Sequence, residues 1–300
     1  MGKLLDSVRA NAAELDASAK YVRICEERVA GYASSLPVEE ARAPELDPKT
    51  HYLGEPEHTL AYLVSLDAIN FGSGYFPHLR KRPGLSGYFT VAASLKDVWP
   101  LPVDALRALT PDDCTRIFGQ TDSDADVLEL MGLFARALND LGRLLSNRYR
   151  RDFRGLVEAA DGSAERLAEL LAEMPFYQDV GFYKRAQLTA ADLSVAGVAT
   201  FEDLGSLTIF ADNLVPHVLR VDGILEYDPW LLERINREEL IAPNSREERE
   251  IRACALHAVE LLRQHLDGVT SMQLDYVLWN RGQQPAYKAQ PRHRARTVFY

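Results

Sequence analysis

Cysteine is scarce in this chain: three residues in 300, Cys25, Cys114 and Cys254, none close to another. An odd count without CxxC spacing argues against a disulfide framework and against a structural zinc site, and fits a reducing, cytoplasmic setting. Seven histidines include no HExxH and no metal-ligand spacing, so no metal cofactor is expected. Missing too are GxSxG, a P-loop and a glycine-rich dinucleotide fingerprint, so no nucleotide cofactor is expected either. No apolar run approaches the ~18 residues of a membrane span. Residues 1–19 are amphipathic and carry acids, unlike a secretion signal or a basic transit peptide. Positive charge is the last shortage. With 34 Lys and Arg against 44 Asp and Glu, the formal net charge of -10 is ill suited to a nucleic acid polymer, whose binding needs cations on its phosphates. The end of the chain runs the other way: Arg292, His293, Arg294 and Arg296 form a local basic spot that suits a small anionic ligand.

What is present is mostly helical periodicity. Val127, Leu130, Met131, Phe134, Leu138, Leu141 and Leu145 recur at three- and four-residue steps and predict one long helix. Leu167, Leu170 and Leu171 follow Ser163, a candidate N-cap. Ser245 with Glu248, and Thr270 with Gln273, read as capping boxes. Thr110–Pro111 and Asp228–Pro229 place a capping side chain before a proline at the first helical position. Only Tyr88 to Val91 reads as a short strand. A proline-rich stretch from Pro37 to Pro56 reads as a long connection. The expectation is a mostly α fold with few or no strands, one domain over residues 1–300, with two helical lobes around a cleft as its finer form.

Five segments bear chemistry. Asp67 to Tyr75 ends an apolar helix in a polar, glycine-containing turn, where Asn70 and Ser73 offer hydrogen bonds beside the rings of Phe71 and Tyr75. That set suits a planar heterocycle, although Asn70 as a helix cap and Gly72 as a left-handed turn would explain it structurally. Phe182 to Gln187 sets Lys184 and Arg185 beside two aromatics; by pattern alone they are a solvated charge pair. Asp212, after Phe210-Ala211, lies among apolar neighbours, where a carboxylate is costly unless paired or useful. It is equally well placed to be an N-cap ahead of Pro216. Asp275 lies in the apolar run Leu274 to Trp279, either at the helix's exposed edge or aimed into a pocket. Basic tails are usually solvated, but Val298, Phe299 and Tyr300 point to a docked one.

Asp67 to Phe71, Gly87-Tyr88-Phe89, Phe182 to Gln187, Phe210-Ala211-Asp212, Ile251-Arg252-Ala253-Cys254, Leu274 to Trp279 and His293-Arg294-x-Arg296 occur in that order. Together they resemble the queuosine salvage family, the queuosine 5′-phosphate N-glycosidases. Where many members carry an aromatic after Asn-Phe, this chain has Gly72, Ser73 and Gly74. The resemblance implies a fold similar to the helical DNA glycosylases, specialised for a mononucleotide. It implies a cofactor-free hydrolase that releases queuine for tRNA modification. It marks Asp212 and Lys184 as catalytic and Asn70, Phe71, Ser73, Tyr75, Phe210, Asp275, His293 and Arg294 as substrate-binding. Lys184 would bind phosphate or assist Asp212; Asp275 would hold the base edge or the sugar. A helical DNA glycosylase-lyase with Lys184 as nucleophile, and a non-catalytic helical scaffold, are the alternatives.

Overall fold

The computed structural model describes residues 3–40 and 46–300, and is predominantly α-helical. It carries fifteen α-helices and a single two-stranded sheet among the described residues. None of these helices is long and apolar enough to cross a membrane. The expected long helix is Ala125–Arg148, with its seven predicted stripe residues all buried. Ser163, Thr110 and Asp228 cap as expected, each accepting a backbone N–H from the first turn. Thr270 and Gln273 form the full reciprocal box. At Ser245 only half of the box forms: its hydroxyl takes the Glu248 N–H, while the Glu248 carboxylate turns to the Asn244 N–H at 3.2 Å and to Arg252.

Tyr88 to Val91 is not a strand. It lies in the helix Gly87–Asp97, started by Ser86, whose Oγ accepts the Phe89 N–H at 3.3 Å. The sheet pairs Val22–Ile24 antiparallel with Leu225–Tyr227. Of the Pro37 to Pro56 connection, residues 41–45 lie outside the described residues; a short 3₁₀ turn spans Val38–Glu40 and a helix begins at Pro56.

The chain divides into two compact units. One comprises the described part of residues 1–44, Val180–Lys184 and Gly205–Arg296. Its core gathers Val8, Val29, Phe182, Leu219, Ile251, Val259 and Leu278, with the helices Lys3–Ala17 and Arg246–Arg263 side by side. The helices Val215–Val221 and Ser271–Gly282 also pack together there. The other unit comprises the described part of residues 45–179, Arg185–Leu204 and Thr297–Tyr300. In it Val103–Ala108 and Pro111–Ile117 pack on the long helix, and Pro56–Ala68 packs on the long helix and on Phe153–Glu158.

Candidate active site

The first unit brings Lys184, Phe210, Asp212, Asp275 and the start of the basic tail together. The capping box at Thr270 fixes where the helix Ser271–Gly282 begins, and that phase turns Asp275 inward with Leu274 and Leu278. Asp275 is 3% exposed, and its Oδ1 accepts the Phe210 N–H at 2.9 Å. The exposed-edge reading of this residue is thereby excluded. Burial and, next, the charge of Asp212 push its carboxyl up to about 7, against the opposing pull of the Phe210 N–H and of Lys184. An acid this close to neutrality can give or take a proton under ordinary conditions.

Asp212 is half-buried. Its Oδ1 accepts the N–H groups of Leu214 at 2.6 Å and Val215 at 3.3 Å, ahead of the helix Val215–Val221. Asp212 is thus not the N-cap itself, a position that falls to Leu214 without a side-chain cap, but its Oδ1 holds the backbone that leads into the helix. Two neighbouring carboxyls with different environments are what divided acid and base roles require. Phe210 is buried, its ring 6.3 Å from that of Tyr276.

Lys184 opens the helix Lys184–Val195 and is 6% exposed, so the solvated-pair reading fails for it. Tyr183, just before it, has φ of 49°. A bulky residue in the left-handed region costs on the order of 1–2 kcal/mol and persists only where the surroundings impose it.

The tail revises the cation assignment. His293 is buried, and burial together with the charges of Arg252 and Arg292 pushes its imidazole down to about 3. It is therefore neutral near pH 7 and does not act as a cation. Arg294 pairs with Glu238 at 2.9 Å, and its carbonyl accepts the Ile241 N–H at 2.8 Å. Another tail cation, Arg292, feels the Asp212 charge, although it is absent from the expected site residues. Its signal was available: it belongs to the same basic spot, one residue before the motif.

Asn70, Phe71, Ser73 and Tyr75 belong to the second unit. Phe71 and Tyr75 are each 2% exposed. The Phe71 ring meets Phe134 edge-on at 5.2 Å, and the Arg185 guanidinium lies over it at 4.9 Å. The ring thus supports the turn from beneath. Asn70 and Ser73 are half-buried, and the Ser73 Oγ has no hydrogen-bond partner among the described residues. Gly72, with φ of 103°, supplies the left-handed step, and a Cβ there would lie 2.7 Å from Leu130. Its N–H donates to the Tyr300 carbonyl at 3.0 Å, so the end of the tail is docked in this unit, with Tyr300 buried.

The cap of the helix Pro56–Ala68 is not Asn70. Arg185, 2% exposed, donates to the Asp67 and Ala68 carbonyls at 2.9 and 2.7 Å and to the Phe176 carbonyl. It is also stacked on Tyr177 at 4.4 Å. A cation at a helix C-terminus satisfies carbonyls that lack an intrahelical partner and meets the negative end of the dipole. Arg185→Met removes the guanidinium from the Ala68 and Phe176 carbonyls and leaves the Asp67 carbonyl only its backbone donors, and is expected to lower the stability of the protein by about 3 kcal/mol. Urea denaturation checks this; a loss under ~1 kcal/mol would mean that water replaces the guanidinium.

Among the described residues one group has the atoms of a cation site: His78 with Asp124 and Asp126, at the exposed start of the long helix. The His78 ring pairs with both carboxylates, at 2.9 Å to Asp124 and 3.8 Å to Asp126, and His78 and Asp124 are solvent-exposed.

The family model described as queuosine salvage protein matches residues 50–300. A protein of Sphaerobacter thermophilus named queuosine 5′-phosphate N-glycosylase/hydrolase is 34% identical over 94% of each chain. A Bos taurus protein of that name is 32% identical over 72% of each. One from Dictyostelium discoideum is 28% identical over 81% of this chain and 79% of its own. The chain belongs to the queuosine salvage protein family.

Proposed function

We propose that this chain is an N-glycosidase that hydrolyses queuosine 5′-phosphate to queuine and ribose 5-phosphate. The observation that carries the chemistry is the carboxyl pair: Asp212 half-buried, its charge felt by Arg292, and Asp275 buried with its acidity shifted to about 7. The relatives' names supply the substrate.

Breaking an N-glycosidic bond builds positive charge on the ribose ring. Asp212 stabilises that charge and orients the attacking water. The leaving base is a 7-deazaguanine and lacks the N7 on which purines are commonly protonated, so its departure needs a proton at another ring atom. Asp275 in its acid form is the donor. Lys184 offsets the negative charge of the pair, since its ammonium acts on Asp275. Neutral His293 adds a hydrogen bond to the substrate. The net charge of -10 supports a mononucleotide rather than a polymer as the ligand. Incubation with queuosine 5′-phosphate followed by chromatography tests this reading: free queuine is expected, and intact nucleotide would overturn it.

Arg292 is assigned to the phosphate, because a guanidinium presents a two-pronged fork to phosphate oxygens. Phosphate binding remote from the breaking bond also holds the ribose against Asp212. The enzyme is expected to prefer the nucleotide to the nucleoside. Arg292→Ala is expected to lower kcat/KM for the nucleotide roughly ten- to a hundredfold while sparing the nucleoside, the scale of a charged hydrogen bond. Equal wild-type efficiency on both substrates would remove the phosphate site. A preference surviving in Arg292→Ala would transfer it to Lys184.

A further inference from the structure

Arg252 is 0% exposed and among the largest fully buried side chains of the protein. It lies on the helix Arg246–Arg263, in the same unit as the carboxyl pair. Its Nε donates to the Ala211 carbonyl at 2.9 Å. Its guanidinium carbon is 3.9 Å from the centroid of the Phe182 ring. Its Nη1 faces the Glu248 carboxylate at 3.4 Å, one turn earlier on the same helix.

Two of these contacts fall next to residues of the site. Ala211 directly precedes Asp212, and Phe182 is two residues before Lys184, with the left-handed Tyr183 between them. Burying a guanidinium and its carboxylate is costly, and an apolar side chain of equal volume would fill the same interior without that cost. What an apolar side chain cannot do is grip a carbonyl with one edge of a rigid plane and a ring with its face. Glu248, drawn out of its capping box toward Arg252, completes the arrangement.

We propose that Arg252 is a positioning residue, which holds the Ala211–Asp212 segment and the Phe182–Lys184 segment in one register and so fixes the Asp212 carboxylate relative to Lys184. Its catalytic consequence rests on the N-glycosidase reading; the positioning itself does not.

The test uses the full chain and two variants. Arg252→Met with Glu248→Gln removes both buried charges at nearly constant volume, so neither is left unpaired. Arg252→Lys keeps a charge opposite Glu248 but loses the plane and the fork. Both are expected to fold, to bind queuine in calorimetry about as the wild type does, and to lose kcat on the order of a hundredfold, the cost of misplacing a reacting group by about 1 Å. Hydrogen exchange of the Leu214 and Val215 amides, which Asp212 accepts, is expected to quicken in both, while the helix Ser271–Gly282 keeps its protection. A kcat close to wild type in both variants overturns the proposal. So does full recovery in Arg252→Lys, which would reduce the residue to a buried charge. Should the wild type release no queuine, the function reading falls and the amides decide alone: faster exchange at Leu214 and Val215 upholds the positioning, and unchanged exchange overturns it.

Discussion

Asp212→Asn is expected to leave the fold intact and to lower kcat for queuosine 5′-phosphate by on the order of a hundredfold or more. Asparagine keeps an oxygen for the Leu214 and Val215 N–H groups, so the start of the helix Val215–Val221 survives. What it removes is the negative charge facing the oxocarbenium-like ribose. A second effect follows from the coupling of the pair. The charge of Asp212 is one of the two causes that raise the Asp275 carboxyl, so the variant's remaining activity should decline at a lower pH than the wild type's. Circular dichroism and a pH profile of kcat check both. Near-normal turnover would leave Asp212 a support for the backbone entering the helix Val215–Val221 and nothing more.

Asp275→Asn is expected to cost roughly a hundred- to ten-thousandfold in kcat, the range for loss of a general acid. The pH dependence gives this residue a signature. Ordinary aspartate titrates near ~3.9, whereas burial and Asp212 place this one at about 7. The acid form therefore prevails below that pH and is lost above it, so wild-type kcat should fall on the alkaline side with a midpoint near 7. That limb should vanish in Asp275→Asn. Stability moves in the same direction. A carboxyl raised by folding contributes stability that is fully present below its unfolded value and lost as pH rises through about 7. Asp275→Asn should thus gain stability over the wild type on the alkaline side. An unchanged alkaline limb in this variant would assign the proton to another group.

Much of the helical framework was legible because its signals are local. The stripe of Ala125–Arg148 and the caps at Ser163, Thr110, Asp228 and Thr270 need only their near neighbours. The run Tyr88 to Val91 misled because a short stretch of β-prone residues has no period long enough to separate strand from helix. The real strands are three residues each and join positions about two hundred residues apart, a pairing no local pattern carries. In the candidate site, Asp212 and Asp275 stood out as acids in apolar surroundings. Arg185 and Arg252 stood in quoted motifs, but their burial and roles did not show, because the partners that justify them are backbone carbonyls and aromatic rings from distant segments. One signal was available for Arg252: it lies three and seven residues before Ala255 and Val259, on the apolar stripe of its helix. The charge state of His293 was equally hidden, since burial and nearby arginines determine it.

Single-turnover analysis of queuosine 5′-phosphate with excess enzyme at pH 7, with and without borohydride, tests the central claim most directly. Hydrolysis by the carboxyl pair predicts queuine and ribose 5-phosphate in equal amounts, with the protein's mass unchanged when borohydride is present. Loss of queuine with the sugar retained on the protein as a reduced adduct at Lys184 would contradict it, as would nucleotide recovered intact.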